Sequence, residues 1–518
     1  MRVALLSLFA ALAARTAAVH TEELYVRPLP HAHKALAHFT FSTNEHGHES
    51  DSLYPTVIRQ ILSKYDAASV RLTIAVGQYG DALYGPSYTP SSTLHAPFGA
   101  RLQVEFAGDE TTSGPFMDRW KGVTSELGGV FSASLNQMDE TTVATILPGS
   151  SPVEFGAVNT TTNPSHFVQA TLAREELCTE NLTPWLKMLP CRGHAGLGAL
   201  IDPIKILSGE YATLSIYASR DAVFDVWYFD QQLITVQEVR DDVWSLQSLL
   251  LDPSASSSSS VTACPLAETS VIKTQLDSRT ETTDVKASSD RIVTTTPWLS
   301  NPELQQSSLP RDMVTTHRFQ TGYGQVHGGI AVQLENRHST CTMRVTYNEV
   351  TPWYMRLYFH TFQSRTTSLD DSSSAISGVT PSFAFIPAEL RGRPNQLRVQ
   401  VDLPPQSALV LSIKFEKVFV RLSEHPPDAN RGFDIPPGVA VFTPMSPSCP
   451  ATTLDHVVYS EPLLVALPTP DFSMPYNVIT LTSTIVAFFV GSMLNTLLRK
   501  APRIQRMLAE DAANAKMS

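Results

Sequence analysis

Along most of this chain apolar residues alternate with polar ones, the pattern of strands with one buried face. Val70, Leu72, Ile74 and Val76 alternate strictly, as do Leu102, Val104 and Phe106, and HFTFS at 38–42 reads as a short strand. Two stretches carry the helical period instead. Leu53, Val57, Ile58, Ile61, Leu62 and Tyr65 share one helical face, with Asp51 and Ser52 as candidate caps. Phe116, Trp120, Val123, Leu127 and Val130 share another. Residues 19–165 are therefore predicted to form an α+β domain whose strands and two helices bury a common core.

From 166 to 460 strand patterns dominate. TLSIYA (213–218), AVFDVWYF (222–229), MRVTY (343–347), WYMRLYFHTF (353–362), QLRVQVDL (396–403) and ALVLSIKFEKVFVRL (408–422) are separated by Pro-, Gly- and Ser-rich turns. That spacing predicts sandwich-like packing, so the fold class is mainly β with an α+β N-terminal part. The serine-rich stretches 254–260 and 365–376 and the aperiodic polar stretch 276–296 read as insertions.

The two ends place the chain in a membrane. Met1-Arg2, an apolar run from Val3 to Ala14 and small residues at Thr16, Ala17 and Ala18 follow the order of a secretory signal peptide, residues 1–18. Val478–Leu498 is uncharged over 21 residues, about 31 Å of helix and enough to cross a hydrocarbon core. Arg499, Lys500, Arg503 and Arg506 follow at once and place the tail, 499–518, in the cytosol. A GPI-anchor signal would lack that basic extension. The topology is single-pass type I, with a proline-rich stalk at 461–477 before the span. Thr480, Thr484, Ala487, Gly491 and Asn495 form one stripe of small and polar side chains on the span, which suits close approach of another membrane helix.

Composition narrows the chemistry. Of 518 residues only 17% are charged, 36 are proline, and the net charge is −11. Long helical bundles and nucleic-acid surfaces are both excluded on that basis. Five cysteines, Cys178, Cys191, Cys264, Cys341 and Cys449, leave at least one without an internal partner; their spacing leaves the connectivity open. Asn159-Thr-Thr and Asn181-Leu-Thr are glycosylation sequons, the second followed directly by Pro184. No metalloprotease, nucleophile-elbow, Walker or dinucleotide motif occurs. His31, His33, His38, His46 and His48 are dense, but no carboxylate or cysteine cluster completes a metal site, and a solvated loop is the plainer reading. Cys178 with His194 imitates a cysteine-protease dyad without a local signature, so a disulfide sulfur is the better assignment. Gly322-Tyr323-Gly324 reads as a tight turn, not a phosphate cradle. No catalytic residue, metal or cofactor is assigned.

Several long motifs carry a resemblance. EPLLVALPTPDFSMPYNVITLT (461–482), CTENLTPWLKMLPC (178–191), TPWYMRLYFHT (351–361), TGYGQ (321–325), ELYVRPLP (23–30), LYPTVIRQILSKY (53–65), ACPLAE (263–268) and PDANRGFDIPP (427–437) occur in order along nearly the whole mature chain. With these blocks the sequence resembles the PIG-T subunits of the GPI transamidase, called Gpi-sixteen in yeasts. The resemblance implies a non-catalytic scaffold in the endoplasmic reticulum membrane, within a complex that replaces a C-terminal signal on precursor proteins with a GPI glycolipid. It implies that the chemistry belongs to a separate caspase-like cysteine protease subunit, and that Cys178 is disulfide-bonded to that subunit. Cys191 with Cys264, both in family-like motifs, and Cys341 with Cys449 are then the implied internal pairs. Other membrane subunits are implied partners, while precursor proteins and glycolipid are met indirectly. The sequence departs from the family pattern at Ser132, where family members carry cysteine. The competing reading is a stand-alone type I glycoprotein, such as a lectin-like cargo receptor.

Overall fold

The computed structural model describes residues 18–46, 52–85, 96–107, 115–145, 167–221, 224–239, 243–251, 262–276, 279–286, 295–297, 312–322, 324, 326–369, 376, 378–421, 424–425, 431–445, 449, 455–468 and 473–516. Residues 1–17 of the expected signal peptide, the Asn159 sequon and the serine run at 254–260 lie outside them. In chain order the first strands are β1 (Val19–Leu29), β2 (Lys34–His46), β3 (Ala67–Val76), β4 (Gly99–Phe106), β5 (Ala144–Thr145), β6 (Phe167–Leu172), β7 (Tyr211–Asp221), β8 (Val226–Glu238), β9 (Val243–Ser245), β10 (Thr269–Leu276) and β11 (Arg279–Asp284). All but β9 join one sheet, in the order β11-β10-β1-β2-β8-β7-β3-β4-β6-β5. Its pairings are antiparallel except β1 with β10. β9 pairs instead with β12 (Thr295–Pro297).

The longer helices that accompany this sheet are α1 (Thr56–Lys64), α2 (Phe116–Phe131) and α3 (Thr179–Lys187), beside short ones such as Pro203–Leu207 and Leu246–Leu250. Leu24, Phe39 and Phe41 share a core with Ile58, Ile61, Trp120, Leu127, Leu182 and Trp185. Side chains alternate across a strand, so Tyr25, Leu36, Tyr211 and Ile234 bury a second, smaller cluster with Tyr79 and Tyr84.

Local differences from the sequence expectations have identifiable causes. On α1, Val57 is 46% exposed while Arg59 is buried in the helix face. The Arg59 guanidinium donates to the buried Glu45 carboxylate at 2.8 Å and lies over the rings of Tyr54 and Trp227, which a hydrophobic pattern cannot register. Ser52 does not cap this helix; its hydroxyl donates to Glu45 at 2.8 Å, and the N-cap position is Pro55. On α2, Phe131 takes the fully buried position at the end of the face. The domain boundary near 165 is also corrected: β6, β7, β8, β10 and β11 extend the same sheet as β1–β4, so that border runs through one hydrogen-bonded layer. Part of the polar stretch 276–296 is strand β11, an edge strand with mostly exposed side chains that needs no apolar period.

The later strands are β13 (Val314–Thr321), β14 (His327–Asn336), β15 (Met343–Thr351), β16 (Met355–Ser368), β17 (Ser382–Ile386), β18 (Asn395–Leu403), β19 (Ser407–Lys417), β20 (Phe433–Ile435), β21 (Val439–Pro444), β22 (His456–Tyr459) and β23 (Leu463–Val465). They form a four-stranded sheet, β13-β14-β19-β16, and a five-stranded sheet, β17-β18-β15-β21-β22, with β20 paired to β23. Ile330, Val332 and Leu411 from one sheet and Tyr347 and Leu397 from the other line a common interior space, the sandwich expected from the alternation. Residues 365–368, expected in a serine-rich loop, complete β16 against β19. Gly322 and Gly324 fall between β13 and β14.

The mainly β body is one compact unit, and a second unit comprises residues 419–431 and 468–518. The second unit is dominated by helix α4 (Ser473–Asn514), long and apolar enough to cross a membrane. Two limits of the expected stalk are corrected. β23 occupies part of 461–477, and α4 starts at Ser473, with Pro475 in its first turn, where a missing N–H costs no helical bond. The helix also runs on past the basic cluster through most of the expected tail.

Candidate covalent attachment site

Cys178 stands at the N-cap of α3 with extended backbone, its carbonyl already accepting from Leu182 N–H at 3.1 Å. The side chain three residues on completes a reciprocal cap. Asn181 Oδ1 accepts from the Cys178 backbone N–H at 3.0 Å and lies 2.9 Å from Sγ, the donor in that contact. Asn181 is fully buried, and its Nδ2 donates to the Phe131 carbonyl at the end of α2, 2.8 Å away. One asparagine thus fixes both the thiol and the junction of two helices.

The rest of α3 explains why this end holds still. Leu182 and Trp185 are completely buried. Trp185 Nε1 donates to Ser215 O on β7 at 3.1 Å, its ring meets Phe41 edge-on, and Gln231 Nε2 on β8 donates to its carbonyl at 2.9 Å. The thiol itself is half-buried, between the exposed Glu176 and the exposed Thr179 and Glu180. A rigid base with a reachable sulfur is what a covalent tether requires.

The other four cysteines are joined within the chain, Cys191 to Cys264 and Cys341 to Cys449, the pairs implied by the resemblance. Cys178 is free. The Cys191 bridge holds the segment after α3 against the approach to β10. There Gly196 N–H donates to Thr262 O at 2.7 Å, and the buried Glu22 carboxylate accepts from Leu197 N–H and Ser270 Oγ. Gly196 has φ +72° and a Cβ would fall 2.4 Å from the Glu22 carboxylate, so only glycine fits. The second bridge ties the β14–β15 connection to the segment after β21.

Other predicted site residues fall as follows. Asn181, expected as a glycosylation site, is fully buried with both ends of its amide engaged in the core, an environment with no room for a glycan in the folded chain. Among the described residues no group of three His, Cys, Asp or Glu could hold a metal ion. Burial pushes His38, on β2, down to about 4. His194 lies in the turn after Cys191, whose carbonyl accepts its backbone N–H. Thr480 and Thr484 on α4 donate to the carbonyls one turn earlier, and Thr480, Thr484, Ala487, Gly491 and Asn495 are all exposed. A concavity of about 400 Å³ lies between the start of the short helix Asp81–Tyr84, which follows β3, and the sandwich strands β13 and β22. There Asp81 pairs with His456 at 3.2 Å and Asp312 accepts from Ala82 N–H at 2.7 Å. Sequence reasoning missed the structural role of Asn181; the N-cap-to-N3 spacing of Cys178 and Asn181 was the available signal.

Compared with known families, the chain matches the one described as Gpi16 subunit, GPI transamidase component, over residues 3–226 and 230–518. It is 31% identical to the human GPI-anchor transamidase component PIGT, over 92% of this chain and 90% of the human protein. It is 30% identical to the mouse protein of the same name, over 92% and 89%. The GPI transamidase component GPI16 of Saccharomyces cerevisiae is 26% identical over 94% of this chain and 89% of its own length.

Proposed function

The chain belongs to the Gpi16 (PIG-T) family of GPI transamidase components, and from that premise we propose that it is the non-catalytic lumenal scaffold of the complex, holding a caspase-like cysteine protease subunit through a disulfide from Cys178. The observation that carries this reading is the single free thiol. Four cysteines are consumed in two internal bridges, and the fifth sits half-buried on a helix end fixed by Asn181. A tether of this kind raises the partner's effective concentration and fixes its orientation, so modest lumenal contacts suffice.

The same reading gives the remaining parts their work. The protein resides in the endoplasmic reticulum membrane as a type I chain, with the β body in the lumen and Asn159 glycosylated. The exposed stripe Thr480, Thr484, Ala487, Gly491 and Asn495 on α4 packs against helices of other subunits; the two threonine hydroxyls are bonded to their own helix, so close approach leaves neither of them unsatisfied. Precursor protein and glycolipid are met through the assembled complex.

Affinity purification of the full chain in mild detergent, with mass identification of co-purifying chains, tests the proposal. The expected result is a cysteine protease subunit that stays attached through denaturing, non-reducing conditions and is released by reductant. Recovery of the chain alone before any reductant is added would overturn it.

A further inference from the structure

Asn181-Leu182-Thr183 is an intact acceptor sequon whose asparagine the fold needs unmodified. Its Nδ2 is 2.8 Å from Phe131 O, its Oδ1 holds Cys178, and its side chain is fully buried beside Leu182 and Trp185. Transfer of oligosaccharide acts on the chain before it folds, so later burial gives no protection. The reaction would join Nδ2 to the anomeric carbon of a lipid-diphosphate-linked oligosaccharide, release the lipid diphosphate and free one amide proton. A chain so modified keeps Oδ1 and one amide N–H, but the glycan could not be seated in the fully buried position from which Asn181 caps Cys178 and reaches Phe131.

The residue after the sequon is Pro184, which lies inside α3. An interior proline has no N–H for the carbonyl four residues back, here Glu180, and crowds that carbonyl. The helix is thus built with a residue that its own stability disfavours. Before folding, however, a proline at 184 confines Thr183 to extended backbone and removes a donor. That opposes the bent arrangement in which a threonine hydroxyl reaches an asparagine amide two residues earlier.

We propose that Pro184 is a glycosylation guard: it keeps the Asn181 sequon unmodified during synthesis so that Asn181 can fold into its cap and position Cys178. This rests on the lumenal placement given under the proposed function, but not on the interchain disulfide. In the test, the full chain is produced in eukaryotic cells as wild type, Pro184→Ala and Pro184→Ala with Thr183→Ala, and is reduced before digestion so that Cys178 carries no partner. Lumenal placement is checked by protection from added protease in sealed microsomes. The tryptic peptide 175–187 is weighed with and without endoglycosidase, a readout that does not depend on whether the variant folds. The expected result is an unmodified peptide in wild type, a gain of one glycan in Pro184→Ala and its loss in the double variant. A glycan on Asn181 in wild type, or an unmodified peptide from protease-protected Pro184→Ala chains, would overturn the inference. Chains accessible to protease would overturn the lumenal placement and the inference with it.

Discussion

Asn181 Nδ2 donates to the Phe131 carbonyl oxygen at 2.8 Å, joining the start of α3 to the end of α2 across fifty residues of chain. Ser132, which follows Phe131, turns with φ +52° and closes α2, and the Asn181 side chain meets that carbonyl at the helix end. Asn181→Ala removes a helix cap, worth about 1 kcal/mol, and strands a buried acceptor, worth about 1–3 kcal/mol. The expected loss is about 2–4 kcal/mol, read as a shift in denaturant midpoint of the detergent-solubilised full chain. Asn181→Asp keeps an acceptor for Cys178 but sets an oxygen against Phe131 O, so it should not rescue.

The two internal bridges close segments of 73 and 108 residues. Loop-closure entropy assigns each about 4–5 kcal/mol of stabilisation. Replacing both partners of either bridge with alanine should lower unfolding stability by an amount of that order, whereas Cys178→Ala should leave it nearly unchanged. Equal losses for all three would show that Cys178 is also part of the folded framework.

Inside the sandwich, the fully buried Arg318 on β13 donates to Glu349 on β15 at 2.5 Å and to the carbonyl of Pro436 at 2.7 Å. Arg318→Leu leaves a buried carboxylate uncompensated, at a cost of about 3–5 kcal/mol. The exposed pair Arg344–Asp402 has comparable geometry, yet breaking it with Arg344→Ala should cost less than about 1 kcal/mol. Denaturant titration of the two variants side by side checks the contrast.

His38 supplies a pH dependence. Burial lowers its folded pKa from 6.5 to about 4, the nearby Arg27 charge acting in the same direction and the bond to Gln232 opposing it. Between those values the unfolded chain binds more protons than the folded one, so stability rises with pH through this window. Its contribution is complete above 6.5 and is lost as pH falls toward 4. From pH 7 to pH 5 the loss should be about 2 kcal/mol. In His38→Gln the same comparison should be flatter by that amount; an unchanged slope would show that the imidazole is not held neutral.

Much of this fold was written in residue periodicity. The alternation at Val70–Val76 and Leu102–Phe106 became β3 and β4 because each strand faces the helices on one side. The domain border near 165 could not be read, because strand pairing between β4 and β6 depends on register, not on composition. Arg59 and Glu45 were invisible as partners, since a buried ion pair looks polar in both segments. At the attachment site the odd cysteine count was legible. The burial of Asn181 was not, because a sequon and an N3 cap use the same residue and differ only in what surrounds it.

The central claim is that Cys178 joins this scaffold to another chain. The direct measurement is a denaturing, non-reducing gel of the membrane complex from cells carrying wild-type or Cys178→Ser protein. The account predicts a high-mass band in wild type that collapses to the single chain on reduction and is missing in the variant. A high-mass band that survives the Cys178→Ser change, or an unbridged Cys178 thiol in the assembled complex, would contradict it.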